Sequence, residues 1–189
     1  MKFSLITAVT ALSTLASGMV ILDLDPAPAP LTLGRTFRPA IAIPIQEEFP
    51  DTAYPPTRWG RVSRTNGSKN IKTLLGFSLP ALSGKSCTIS FSDAAEVDKK
   101  GSRKMQLFTT GGYPAQGNTW NKKPFTDQHK GTFLTSEDGT GAATVLENFG
   151  LKFPCPEFAT SYGFEVQPVG DNDYVLWDIT KGGFVITAD

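Results

Sequence analysis

Ser86-Cys87-Thr88-Ile89-Ser90-Phe91-Ser92 alternates, residue by residue, between small hydroxylated side chains and apolar or sulfur-bearing ones. Successive side chains of a strand point to opposite faces, so Cys87, Ile89 and Phe91 share one face and predict a strand with one side in a core. The same two-residue period returns downstream, where Tyr162, Phe164 and Val166 are separated by Gly163 and Glu165. Residues 174–179 are apolar on both faces, and residues 184–187 close the chain. Upstream, Ile41, Ile43 and Ile45 alternate with Ala42, Pro44 and Gln46, and Pro44 confines that strand to a sheet edge or a strand start. Further strands are expected over 71–79 before Pro80, 105–109 before Gly111-Gly112, and 132–135 and 142–149 around a Gly-rich turn. No segment sustains a 3.6-residue apolar period. About nine short strands, punctuated by Gly, Pro, Asn and Asp, predict an all-β fold, a single antiparallel β-sandwich with minor helix.

Composition agrees. The 189 residues include 18 Gly, 14 Pro and 13 Phe, the mixture of a turn-rich fold with an aromatic core. With 40% hydrophobic and 19% charged residues the chain is too apolar for a disordered one. Its net charge is +0, so no overall basic field attracts nucleic acid or anionic lipid.

The N-terminus reads as an export signal. Lys2 precedes an apolar stretch from Phe3 to Leu15, followed by small Ala16, Ser17 and Gly18. This predicts a signal peptide over 1–18, cleaved after Gly18 or, as runner-up, after Ala16, and a secreted product. The apolar run is shorter than the ~20 residues that span a bilayer. Residues 19–36 form a Pro/Ala-rich linker, whose Asp23-Leu24-Asp25-Pro26-Ala27-Pro28-Ala29-Pro30 is a stiff extended spacer or, on a sharper reading, a Pro-rich ligand. One domain over 37–189, expected to be a monomer, follows.

Two cysteines, Cys87 and Cys155, allow one connectivity in an oxidising compartment, and a structural disulfide is expected. The alternatives are two buried thiols or a redox pair, but no Cys-x-x-Cys supports redox chemistry. Asn66-Gly67-Ser68 is an N-glycosylation sequon in a polar loop.

A catalytic constellation is not recognisable, and no cofactor or metal is expected. His129 is the only imidazole and reads as a solvent-exposed residue in a polar turn. Glu47, Glu48, Asp51, Glu165, Asp171 and Asp173 could supply a hydrolytic carboxylate pair, but such residues mostly read as solvated surface charges. Gly170-Asp171-Asn172-Asp173 resembles half a calcium loop, though turn-forming side chains explain it better. Tyr54, Trp59 and Trp120 are candidate sugar-stacking residues. Trp59 and Trp120 stand in polar, flexible-looking stretches, whereas Trp177 reads as core. The basic run Arg58, Arg61, Arg64, Lys69 and Lys72, with Lys99, Lys100, Arg103 and Lys104 further on, could contact an anionic cell-surface polymer if both parts share a face.

Several of these stretches together resemble the fungal But-two C-terminal domain family. They include Ile43-Pro44-Ile45, Phe49-Pro50-Asp51-Thr52-Ala53-Tyr54, Phe77-Ser78-Leu79-Pro80 and Gly84-Lys85-Ser86-Cys87-Thr88-Ile89-Ser90-Phe91. Asn118-Thr119-Trp120-Asn121, Phe153-Pro154-Cys155-Pro156, Ser161-Tyr162-Gly163-Phe164-Glu165, Gly170-Asp171 and Gly183-Phe184-Val185-Ile186-Thr187 follow in order. The resemblance implies a small secreted β-sandwich with one disulfide and no established catalytic residues. The family's name implies binding to a ubiquitin-like activating enzyme, a cytosolic or nuclear partner that an export signal would keep out of reach. Trp177-Asp178 and the Lys-rich loops depart from the family pattern. The expected function is a non-enzymatic extracellular or cell-wall-associated structural or interaction module, with wall polysaccharide or an extracellular protein as partner. The alternatives are a glycan-binding module and a secreted glycan-cleaving enzyme or effector.

Overall fold

Antiparallel ladders join every strand of the computed structural model, which describes residues 34–92, 98–138 and 141–189. The expected signal peptide and most of the expected Pro/Ala-rich linker lie outside the described residues. Thirteen strands are present among those described: β1 (Arg35–Phe37), β2 (Ile41–Gln46), β3 (Trp59–Thr65), β4 (Ser68–Leu79), β5 (Ser86–Ser92), β6 (Asp98–Lys100), β7 (Lys104–Thr110), β8 (Thr126–Leu134), β9 (Thr144–Asn148), β10 (Lys152–Pro154), β11 (Thr160–Pro168), β12 (Asp173–Asp178) and β13 (Gly183–Ala188). There is no helix among the described residues. All nine expected strands are present, and β1 begins at Arg35, two residues ahead of the expected domain start.

The strands form a sandwich of two unequal sheets. The smaller has the order β1-β13-β5-β10; the larger runs β6-β12-β3-β4-β11-β7-β8-β9, with β2 paired to β4. Alternation turns Cys87, Ile89 and Phe91 of β5 and Phe184 and Ile186 of β13 toward Val62, Leu75, Phe77, Leu107, Phe133, Phe164 and Trp177 of the larger sheet, all buried. Rings meet edge to face, Phe91 with Phe184 at 5.0 Å between centroids and Phe133 with Phe184 at 5.1 Å. Each such fully buried ring contributes about 1.5–3 kcal/mol by leaving water, which makes this layer the main source of stability. Cys87 and Cys155 are bonded, with Cα atoms 5.0 Å apart, and tie β5 to the segment leaving β10.

The four additional strands have separate explanations. β1, β6 and β10 have three residues each, too few to display a period. The stretch around Trp59 is a correction: it is strand β3, not a flexible loop. Asn66 and Gly67, with φ of 50° and 72°, make the two-residue turn that favours a hairpin, and Thr65 pairs with Ser68 across it. β2 pairs with β4 alone among the described strands, the edge position that Pro44 requires.

The larger sheet is covered on its other face too. Ile43, Ile45 and Leu74 form a second buried cluster, onto which Ile41 and Trp120 pack, Trp120 coming from the β7–β8 connection. Two further corrections follow. Glu165, on this face of β11, is 0% exposed rather than solvated. His129 lies within β8, half-buried between Phe108 and Phe149, with centroid distances of 4.7 and 5.1 Å, rather than in an exposed turn.

Candidate functional site

β3 leaves its hairpin partner early. Past a register shift between Thr65 and Ser63, Ser63 still pairs with Ile71, as does Gln46 of β2, but from there the strand is held differently. Thr73 Oγ1 accepts the Arg61 N–H at 2.8 Å and donates to the Arg61 carbonyl at 2.6 Å, so a side chain replaces the ladder. Between the diverging strands lies a cleft of about 340 Å³, lined by Pro44 and Gln46 of β2, Thr57, Trp59 and Arg61, Ile71 of β4, and Tyr174 and Leu176 of β12. That volume falls at the small end of ligand pockets.

Cross-strand register explains the lining. Ser63 pairs with Tyr174, Arg61 with Leu176 and Trp59 with Asp178, so β3 and β12 present one mixed aromatic and cationic face. The Arg61 guanidinium carbon stands 5.3 Å from the Tyr174 ring centroid, and that of Arg58 stands 4.8 Å from the Trp59 ring. Such cation–π contacts hold the rings in place while keeping the charge at the surface. Behind Arg58, at 3.7 Å from its Nε, sits the fully buried carboxylate of Asp178, which also accepts the N–H and hydroxyl of Thr180. Arg61 Nε is buried and has no hydrogen-bond partner. The cleft can therefore offer apolar ring surface beside guanidinium donors.

The three aromatic residues singled out in the sequence do not converge. Trp59 lines the cleft; Tyr54 is half-buried in the β2–β3 connection and Trp120 covers the second apolar cluster, and neither lines it. Trp120 belongs to a different constellation, with the Lys72 ammonium 4.7 Å from its ring. Lys72 Nζ also donates to Glu165 Oε1 at 2.9 Å, Lys123 Nζ and Thr126 Oγ1 donate to Oε2, and Gln167 Nε2 donates to Oε1. Burial pushes the Glu165 carboxyl up, but the Lys72 charge and the hydrogen bonds from Lys123, Thr126 and Lys72 outweigh it and hold the carboxyl below its usual range. This is a pinned ion cluster beneath a loop.

Asp171 is exposed, whereas the other candidate carboxylates are engaged. Glu47 accepts from the Asn70 backbone and side chain, Glu48 pairs with Lys69, and Asp51 accepts from Asn121. In the Gly170–Asp173 turn, Asp173 accepts from Gly170 and Ser102, and Asn172 accepts the Asn66 N–H, so these oxygens organise backbone. Asn66 itself is exposed at the hairpin tip. Arg61 was legible only as part of a basic run, and Tyr174 and the strand that sets Trp59 and Arg61 beside it were hidden from sequence reasoning. The Asn66-Gly67 turn was the available signal, since it makes the residues before it a strand.

The fold and its disulfide define an all-β sandwich domain cross-linked from β5 to the segment that follows β10. The model of the family described as Ubiquitin 3 binding protein But2 C-terminal domain matches residues 38–177, and the chain belongs to that family. No curated protein matches it.

Proposed function

We propose that this protein is a secreted, non-enzymatic interaction module of the cell exterior, and that it binds a glycan in the Trp59–Tyr174 cleft. The observation that carries the reading is the cleft: two half-buried aromatic rings with Gln46, Thr57 and Arg61 around them. A sugar presents apolar C–H faces and hydroxyls together, and needs a ring beside fixed polar groups. The family description carries a ubiquitin-type protein partner. The export signal read over 1–18 separates the chain from a cytosolic partner, which favours an extracellular ligand.

The test is retention of the secreted protein on isolated wall polysaccharide. Wild type and Trp120→Ala protein that remains folded should be retained, whereas Trp59→Ala should be lost from the bound fraction. Equal retention of Trp59→Ala and wild type would reject the cleft as the site. Capture of a ubiquitin-like protein with no polysaccharide retention would replace the reading with one nearer the family's description.

A further inference from the structure

Two depressions on the larger sheet share a wall. Arg61 and Tyr174 line both the Trp59 cleft and a second hollow of about 250 Å³, whose other lining residues include Arg64 of β3 and Lys100 of β6. The register explains the join: Lys100 pairs with Tyr174, which pairs with Ser63, so β6, β12 and β3 bring together basic residues that lie about forty positions apart in the chain. Arg61, Arg64 and Lys100 thus line one groove, with the Arg64 guanidinium donating to Asn70 Oδ1 and the Val169 carbonyl.

The acidic groups near this groove are mostly committed. Asp173 is 3% exposed, and its oxygens accept from Ser102 and Gly170. Asp178 is fully buried behind Arg58. Asp98, paired with Leu176, is the exposed carboxylate at the β6 side. With Arg64 held by Asn70 and Val169, the half-buried Arg61 guanidinium and the exposed Lys100 ammonium are the charged donors the groove offers. A neutral sugar donates through its hydroxyls and needs acceptors in return; a carboxylate only accepts and pairs with guanidinium in a two-pronged geometry.

We infer that the groove takes an acidic polysaccharide, with a pyranose ring against Trp59 and uronate carboxylates on Arg61 and Lys100. This rests on the glycan-binding reading and sharpens it to carboxylated polymers.

The experiment is affinity electrophoresis of the secreted protein through gels containing polygalacturonate, its fully methyl-esterified form, or single-stranded DNA. The ester keeps the sugar ring and removes the charge. The proposal expects strong retardation by the acid form that weakens with salt, and weakening of about tenfold by the ester or by Arg61→Gln. Lys100→Gln should act in the same direction, and Trp59→Ala should remove retardation by the acid. Arg61 holds Thr73 through its backbone alone, so the side chain can be changed with the fold intact, as a melting curve of each variant checks. Equal retardation by acid and ester, unaffected by Arg61→Gln but lost in Trp59→Ala, would overturn the charge inference and leave glycan binding standing. Retardation by DNA as strong as by polygalacturonate would also overturn it. No retardation by either polysaccharide, with no retention on isolated wall material, would remove both.

Discussion

The Trp177 indole occupies space that Gly60 leaves open: a Cβ built on Gly60 would stand 2.1 Å from Trp177 Cε2. Gly183, on the opposite sheet, crowds the same ring, its added Cβ falling 2.1 Å from Cδ1. Trp177 is fully buried and touches Phe91 and Phe184 edge to face, so it has nowhere to retreat. Gly60→Ala should therefore destabilise the domain by about 1–3 kcal/mol, the usual cost of overpacking a filled core. Gly183→Ala should cost more, because Gly183 also has a φ of +79° that a Cβ disfavours. Denaturant unfolding of both variants is the check. An unchanged midpoint for Gly60→Ala would mean that the indole has room to move.

Glu165 links the sheet to the loop above it, and its ionisation should appear in the acid limb of stability. Its folded carboxyl titrates below the ordinary value of 4.5. The associated stability is fully present above the unfolded value and is lost as pH falls through the folded one. Glu165→Gln should remove this part of the acid dependence and, by stranding Lys72 and Lys123, cost about 3–5 kcal/mol near neutral pH. Unfolding curves between pH 7 and about pH 3 decide the matter. A variant with the wild-type acid slope would show that other carboxylates carry it.

Much of the sandwich was legible because its strands keep period two: β5 and β13 turn Ile89, Phe91, Phe184 and Ile186 inward as their alternation dictates. β3 was harder to see, since Val62 is flanked by Gly60, Arg61, Ser63 and Arg64 and shows little apolar signal; the turn at Asn66-Gly67 announces it instead. Glu165 looked like the polar partner of a half-exposed strand. Its burial depends on Lys123 and Thr126, which come from about forty residues earlier in the chain. The cleft was hidden for a similar reason, as the register of β3 against β12 is what brings Trp59 and Tyr174 to one face. Local patterns carry the face of a strand, while inter-strand register decides which faces meet.

The disulfide should act as a structural clamp. Cys87 is 0% exposed on the core face of β5, and Cys155 is pinned between Pro154 and Pro156, its N–H bonded to the Lys85 carbonyl. The bond closes a separation of 68 residues. Restricting the unfolded chain by such a loop makes Cys87→Ser costly by about 2–5 kcal/mol. The variant should melt lower and secrete poorly, while surviving folded protein binds polysaccharide like wild type. Two titratable thiols in native protein, or lost binding at unchanged stability, would contradict this role.

Export and the Asn66 sequon can be tested together. Asn66 stands exposed on a two-residue turn, and Ser68 completes the sequon with its hydroxyl donating to the Thr65 carbonyl. A hairpin tip leaves the Asn66 amide accessible to a transferase, and only chains entering the secretory route meet that enzyme. Protein recovered from culture medium should begin at Met19 or Ser17 and carry a glycan mass that enzymatic deglycosylation removes. Asn66→Gln and Ser68→Ala should each abolish that mass through different atoms of the sequon. Their melting temperatures should stay near that of deglycosylated wild type, because neither side chain enters the core. Secreted protein of unmodified mass would reject glycosylation alone. An intracellular chain retaining Met1 would reject export as well, and would bring an intracellular protein partner back to the front.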